Sequence, residues 1–264
     1  MKVTYPIGVF DSGLGGLNVL KEMRLMLPNE DFVYLADNLN CPYGTKTETE
    51  ILRLVGKVID FFKRLSVKVI VLACNTTSAY LDLIRLRTEI PIIGVIVPTV
   101  KAALKASKKK NLAVLATNAT VESGVYQKLL YSKIRRKSKK LHFIRCSEFV
   151  EAIEAGEVGT DYSRHLVYEK LSSLKECNLD TVVLACTHFD LYQDEIQIVF
   201  PEAKLITSGV ATAKTLKKLL KKLNLKNQNQ KGEVKLLMTG ELESFRNRAD
   251  WILNRQSFEK INLE

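Results

Sequence analysis

The stretch that decides the fold is Val69–Ser78, VIVLACNTTS. Four apolar residues, Val69, Ile70, Val71 and Leu72, run through Ala73 into Cys74, Asn75, Thr76 and Thr77. A short β-branched run bounded by small polar residues reads as a buried parallel strand. In α/β proteins, the residues just past the carboxyl end of such a strand face the ligand crevice. Cys74 is therefore expected at a strand tip, with Asn75 and Thr76 opening the next segment. The phrase returns at Thr181–His188, TVVLACTH, with Cys186 in the matching place 112 positions on.

Outward from this pair, the repetition is general. IGVFDS (7–12) parallels LAVLAT (112–117), VYLAD (33–37) parallels FIRCS (143–147), and VLAC recurs, at offsets of 105, 110 and 112. Strands are expected at 5–10, 32–36, 92–95, 111–116, 141–145, 181–185, 204–207 and 234–239, with a polar loop at 224–232. Helices are expected at about 17–27, 47–65, 75–87, 101–110, 121–133, 148–155, 162–174, 192–199, 210–223 and 241–253. Alternating strand and helix signals imply two similar parallel-sheet α/β lobes, pseudo-duplicated, with the active site in the cleft between them. Residues 1–98 with 208–264 form the expected first lobe, the Asp11 and Cys74 side; residues 99–207 form the second, the Cys186 and His188 side.

Composition narrows the classes. The chain has 264 residues, 46% of them apolar, enough for a substantial core. No run reaches the ~18–20 apolar residues a membrane span needs. The N-terminus, MKVTYPIGVF, meets Asp11 too early for a signal peptide. Five cysteines (41, 74, 146, 177 and 186) include no CxxC pair and no zinc-type Cys/His spacing. Reduced thiols, a cytoplasmic location and no metal are expected. Net charge is +11, with basic residues gathered at 108–110, 135–140 and 214–222. These read as solvated faces that also draw in an anionic small substrate. No nucleic-acid module accompanies them. The turn Asp11-Ser12-Gly13-Leu14-Gly15-Gly16 departs from GxGxxG spacing, so a dinucleotide is not expected. Asp11 and Ser12 at a strand tip before a helix suit a substrate's anionic group instead. Pro42-Tyr43-Gly44 reads as a loop presenting backbone amides and a phenol.

Singly, each cysteine at a strand tip reads as a small buried hydrophobe. Cys186 with His188 two residues on could serve a hydrolase, but that leaves Cys74 unexplained. Two acid/base groups on opposite sides of one carbon fit a stereoinversion. One thiolate removes a proton from one face and the opposite thiol donates one to the other. A free thiol has a pKa of ~8.5, so each needs local activation. Asp11 and His188 are the candidate helpers.

At this point the chain resembles a known family. FDSGLGGLNVL (10–20), CPYGTKT (41–47), LACNTTSAY (72–80) and LACTHFDL (184–191) are similar to the four signature stretches of the glutamate racemases. GVIVP (94–98), ATNATVESGVY (116–126) and MTGELESFRNRA (238–249) extend the resemblance over the whole chain. It implies a cofactor-independent isomerase that interconverts L- and D-glutamate and supplies D-glutamate for peptidoglycan. By position, Cys74 would act on the D-enantiomer with Asp11 assisting, and Cys186 on the L-enantiomer with His188 assisting. Glu154, in FVEAIEAG (149–156), matches an acid lining the second half of the site. Ser12, Tyr43, Gly44, Asn75, Thr76 and Thr187 would bind substrate, with Thr117 and Thr120 beside them. No pyridoxal lysine is implied. The chain departs from the family pattern at Asn40, where Arg is common, and at Ser147, Glu151 and Asp190, where prolines are common. Thr207 stands where Asp is common. A racemase of aspartate or another amino acid, a cysteine hydrolase and a silent binding protein are the alternatives; CTH in place of a CTE-type second motif argues against the aspartate branch. A homodimer is the default assembly.

Overall fold

The computed structural model describes residues 2–134, 141–227, 231–250, 252–253 and 256–263. The basic run at 135–140, part of the polar loop at 224–232 and position 251 of the expected last helix lie outside the described residues. The strands are β1 (Ile7–Asp11), β2 (Phe32–Ala36), β3 (Val69–Leu72), β4 (Ile92–Gly94), β5 (Leu112–Ala116), β6 (Leu141–Arg145), β7 (Thr181–Ala185), β8 (Lys204–Ile206), β9 (Val234–Met238) and β10 (Glu259–Lys260). They form two sheets, ordered β10-β9-β2-β1-β3-β4 and β6-β5-β7-β8. Every pairing is parallel. Apart from β9 and β10, which extend the first sheet, the two orders are the same.

The pairing register corrects one repeat. Ile7 pairs with Phe32 and Leu112 with Leu141, so the second strands lie 109 positions apart, not 110. Asp37 therefore matches Cys146 rather than Ser147. The Asp37 amide donates to the Asp11 carbonyl at 3.0 Å, and the Cys146 amide to the Ala116 carbonyl at 2.8 Å, at the same place in each sheet. One residue matters here because neighbours along a strand face opposite sides.

The central strands β1, β3, β5 and β7 are apolar between their tips because both faces are covered. Ile7, Val9, Val69 and Val71 join one core of the first sheet, while Phe10, Ile70 and Leu72 join the other. Ala113, Leu115, Val182 and Leu184 likewise divide from Leu112, Val114 and Val183 in the second sheet. Polar residues are thereby confined to the strand tips.

The helices are α1 (Gly16–Met26), α2 (Glu48–Arg64), α3 (Asn75–Ser78), α4 (Leu81–Arg85), α5 (Ile96–Ala106), α6 (Asn118–Glu122), α7 (Val125–Tyr131), α8 (Ser147–Glu154), α9 (Asp161–Leu171), α10 (Gln193–Val199), α11 (Gly209–Lys222) and α12 (Leu242–Ala249). Thr47 caps α2 through a capping box with Glu50. Three expected helices differ. The segment after Cys74 breaks into α3 and α4, because Thr77 and Ser78 hydroxyls donate to the Cys74 and Leu72 carbonyls. The helix expected at 121–133 breaks at Gly124, whose φ is +67°. The helix expected from Lys101 begins at Ile96, with Pro98 in a first turn that needs no amide donor.

Candidate active site

The site is built where the carboxyl ends of the two sheets meet. Cys74 follows β3 and Cys186 follows β7, the equivalent strands. Both thiols are buried, 5% and 7% exposed, and both line one cleft with Ser12, Tyr43, Gly44, Asn75, Thr76, Thr117, Thr187 and His188. The space between them is about 10 Å³, the room of one water. An amino acid enters only if the two sides part. A larger cavity of about 820 Å³ lies outside the cleft, beside Asn40, Arg53, Lys57 and Lys260, and holds no thiol. Both thiols lie in the smaller space.

Glycines let the sides approach this closely. A Cβ on Gly15 would stand 2.5 Å from the Thr187 carbonyl carbon, and one on Gly44 2.6 Å from the Thr117 Cβ. Three hydroxyls bridge the cleft: Thr76 Oγ1 lies 3.1 Å from Thr117 Oγ1 and 3.3 Å from Thr120 Oγ1, themselves 2.9 Å apart.

The two thiols have different neighbours. Cys74 Sγ lies 3.4 Å from Ser12 Oγ. Asp11 stands behind it, fully buried, accepting from the Gly13 amide at 3.0 Å and from the Thr187 hydroxyl at 3.2 Å. Burial pushes the Asp11 carboxyl up to about 6, against the charge of His188 and these hydrogen bonds. Burial, then the Asp11 charge, pushes the Cys74 thiol up to about 11. Asp11 thus reaches Cys74 through its field and Ser12 makes the direct contact. Across the cleft, Cys186 Sγ lies 3.8 Å from His188 Nδ1, and His188 Nε2 lies 2.7 Å from Glu154 Oε1. Glu154 Oε2 meets Arg248 Nη2 of α12 at 3.4 Å. Burial opposes a charge on His188, but the hydrogen bonds and charges of Cys186 and Glu154 hold it well above the ordinary imidazole range. Burial likewise opposes a charge on Glu154, which the His188 hydrogen bond, then the His188 and Arg248 charges, hold below the ordinary carboxyl range.

Most of the residues expected from the sequence come together here. Tyr43 differs: its loop lines the cleft, but its hydroxyl turns away and donates to Asp37 Oδ2 at 2.6 Å. Asn40 and Thr239 donate to the same carboxylate, so the Asn that replaces the common Arg holds the loop. Asn75 accepts from the Tyr126 hydroxyl at 2.7 Å and lies 3.4 Å from Ser208 Oγ. Asp37, Tyr126, Ser208, Arg248 and Cys41, whose Sγ is 3.8 Å from Glu154 Oε1, were not singled out from sequence. Asp37 carried a signal in its place at the tip of β2, and Cys41, Tyr126 and Arg248 lie within stretches quoted for the resemblance without a role of their own. Of the other departures, Ser147 accepts from the Asn118 amide. Asp190 is pushed up to about 8 by burial, with its Oδ1 unpartnered among the described residues.

The Asp/Glu/hydantoin racemase family model matches residues 7–216. The chain belongs to that family. Among racemase relatives, the glutamate racemase of Fusobacterium nucleatum is 39% identical, over 96% of each chain. A glutamate racemase isoform from Bacillus anthracis superposes with a TM-score of 0.91 at 32% identity, covering 98% of this chain and 97% of that one. The Francisella tularensis glutamate racemase, solved in complex with D-glutamate, superposes with a TM-score of 0.90 at 31% identity, over 99% of each. The racemase family accounts for the two matched sheets and makes the chain an isomerase. No helix among the described residues is long and apolar enough to cross a membrane.

Proposed function

We propose that the chain interconverts L- and D-glutamate by proton transfer at Cα between Cys74 and Cys186. The carrying observation is that two buried thiols, at the tips of equivalent strands, line one cleft. In the D-to-L direction the Cys74 thiolate takes the Cα proton, forming S–H as the C–H bond breaks. The Cys186 thiol delivers its proton to the opposite face and becomes the thiolate. The reverse direction exchanges the roles.

Cys74 is protonated before substrate arrives, since its thiol is pushed up to about 11. The substrate ammonium, entering a closed space shielded from bulk water, favours the thiolate and lowers that barrier. His188 carries a proton that it can pass to Cys186, with Glu154 holding the ring. Thr76, Thr117 and the Asn75 amide offer donors to the carboxylate as charge develops at Cα, beside Thr187, whose hydroxyl is turned to Asp11. Ser12 and the Tyr43–Gly44 loop complete the binding surface. Residues 1–98 with 208–264 and residues 99–207 are proposed as the two parts that separate to admit substrate. In support, Val100 and Ala103 of α5 pack in a core of the second sheet, while Ala213, Leu216 and Leu220 of α11 pack in a core of the first. Five unpaired thiols support a cytoplasmic setting, where D-glutamate would feed peptidoglycan synthesis.

The test is racemisation of each glutamate enantiomer, followed by circular dichroism without added cofactor. Both should converge on the racemate while aspartate stays unchanged. Turnover of aspartate but not glutamate would move the chain to the alternative substrate.

A further inference from the structure

Three donor atoms from separate segments converge in front of Gly13. Cys41 Sγ lies 3.8 Å from Glu154 Oε1, and that oxygen lies 2.7 Å from His188 Nε2. All three atoms fall within 4.8 Å of one another. A Cβ on Gly13 would stand 3.2, 3.0 and 3.1 Å from the sulfur, oxygen and nitrogen. The three therefore open onto one small space that glycine leaves free. Among the described residues this is the one group of three metal-ligating side chains so arranged.

Thiolate, carboxylate and imidazole are zinc donors, with bonds of about 2.3, 2.0–2.2 and 2.0–2.1 Å. Donors on one such ion sit about 3.2–3.6 Å apart by that geometry. The sulfur–oxygen separation is near this range already. The nitrogen–oxygen pair must open by about half an ångström, which loss of the proton they share allows. The second oxygen of Glu154 is held by Arg248 at 3.4 Å, the kind of outer contact that fixes a ligating carboxylate.

We propose that Cys41, Glu154 and His188 form a three-donor site for zinc, and that zinc bound there inhibits the enzyme by removing His188 and Glu154 from the service of Cys186. As the Zn–S and Zn–N bonds form, the Cys41 thiol and the His188–Glu154 pair each release a proton to solvent. Water completes the coordination. Mg²⁺ and Ca²⁺, which take all-oxygen ligand sets, are not held. The sequence hid this site because positions 41, 154 and 188 show no ligand spacing. The inhibitory half rests on the racemase reading; the binding half does not.

Two measurements on the full chain test it. With one equivalent of zinc, X-ray absorption should show one sulfur and at least two nitrogen or oxygen ligands. Two sulfurs, as from Cys74 with Cys186, or none would overturn the assignment without any mutation. Next, Co²⁺ should give a thiolate-to-cobalt absorption band that Cys41→Ala removes and Cys74→Ser retains. Zinc should inhibit racemisation, chelator should restore it, and Cys41→Ala should raise the zinc concentration for half-inhibition at least ten-fold relative to its own zinc-free rate. Equal zinc sensitivity in Cys41→Ala, or equal inhibition by Mg²⁺, would sink the proposal. Because the X-ray and cobalt signals need no turnover, failure of this site and failure of the glutamate reading are distinguishable.

Discussion

The Cys74 and Cys186 halves of the cleft share a backbone and differ in charge. Both thiols follow the third strand of their sheet at matching register. Cys74 faces Ser12 with the anionic Asp11 behind it, whereas Cys186 faces His188, backed by Glu154 and Arg248. Duplication supplied two-sided geometry. Divergence at the tips gave one thiol an acceptor for its helper and the other a cation. A proton carrier that must work in both directions gains from this, since the helpers start in opposite protonation states.

The largest expected effect comes from removing either thiol. Cys74→Ala and Cys186→Ala should each lower kcat/KM for racemisation by about 10³-fold or more, the scale of losing an essential acid or base. If either variant kept a tenth of the parent rate, the two halves would not both be needed.

Removing a helper should cost less. Asp11→Asn and His188→Asn should each lower kcat about 10²-fold in steady-state assays. Asp11 also has a stability signature. Its carboxyl titrates at about 6 when folded against 3.8 as a free group, so the folded chain binds that proton more tightly. Stability from this group is present at low pH and is lost as pH rises from about 4 through about 6, by about 3 kcal/mol. Urea denaturation of Asp11→Asn should lack that decline; an unchanged decline would place the cost elsewhere.

Smaller effects probe how the halves are held. Gly15→Ala puts a methyl against the Thr187 backbone and should raise KM and lower kcat about ten-fold by propping the cleft. A variant as active as the parent would show that the sides need not approach so closely. Arg248→Met frees Glu154 Oε2 and should reduce kcat a few-fold, with KM little changed. A loss as large as that of His188→Asn would instead make Arg248 indispensable to the Cys186 half.

The physics of each part explains how legible it was in the sequence. β2 and β7 were legible to the residue, because unbroken apolar runs between polar residues have few alternatives. The thiols were legible because the repeat placed both at tips. β10, Glu259–Lys260, was not, since two charged residues carry no strand signal and are held only by β9. The breaks at Ser78 and Gly124 were hidden because helical periodicity says nothing about hydroxyls that capture carbonyls or a positive φ. Tyr43 was placed in the right loop, but what holds its phenol was not foreseen. Its phenol belongs to Asp37, a strand-tip acid whose demand for donors appears only when Asn40, Tyr43 and Thr239 are gathered around it. The roles of Arg248 and Cys41 were hidden because they meet Glu154 only across the closed cleft.

The most direct test of two opposed thiols is solvent deuterium exchange at Cα. L- and D-glutamate have equal energy, so kcat/KM must match in both directions for any variant. The halves therefore separate only in exchange without inversion. In D₂O, Cys74→Ala should label L-glutamate alone, through Cys186, and Cys186→Ala should label D-glutamate alone, through Cys74. If one single-thiol variant labelled both enantiomers at similar rates, or if the parent interconverted them without taking up deuterium, the two-thiol account would be wrong.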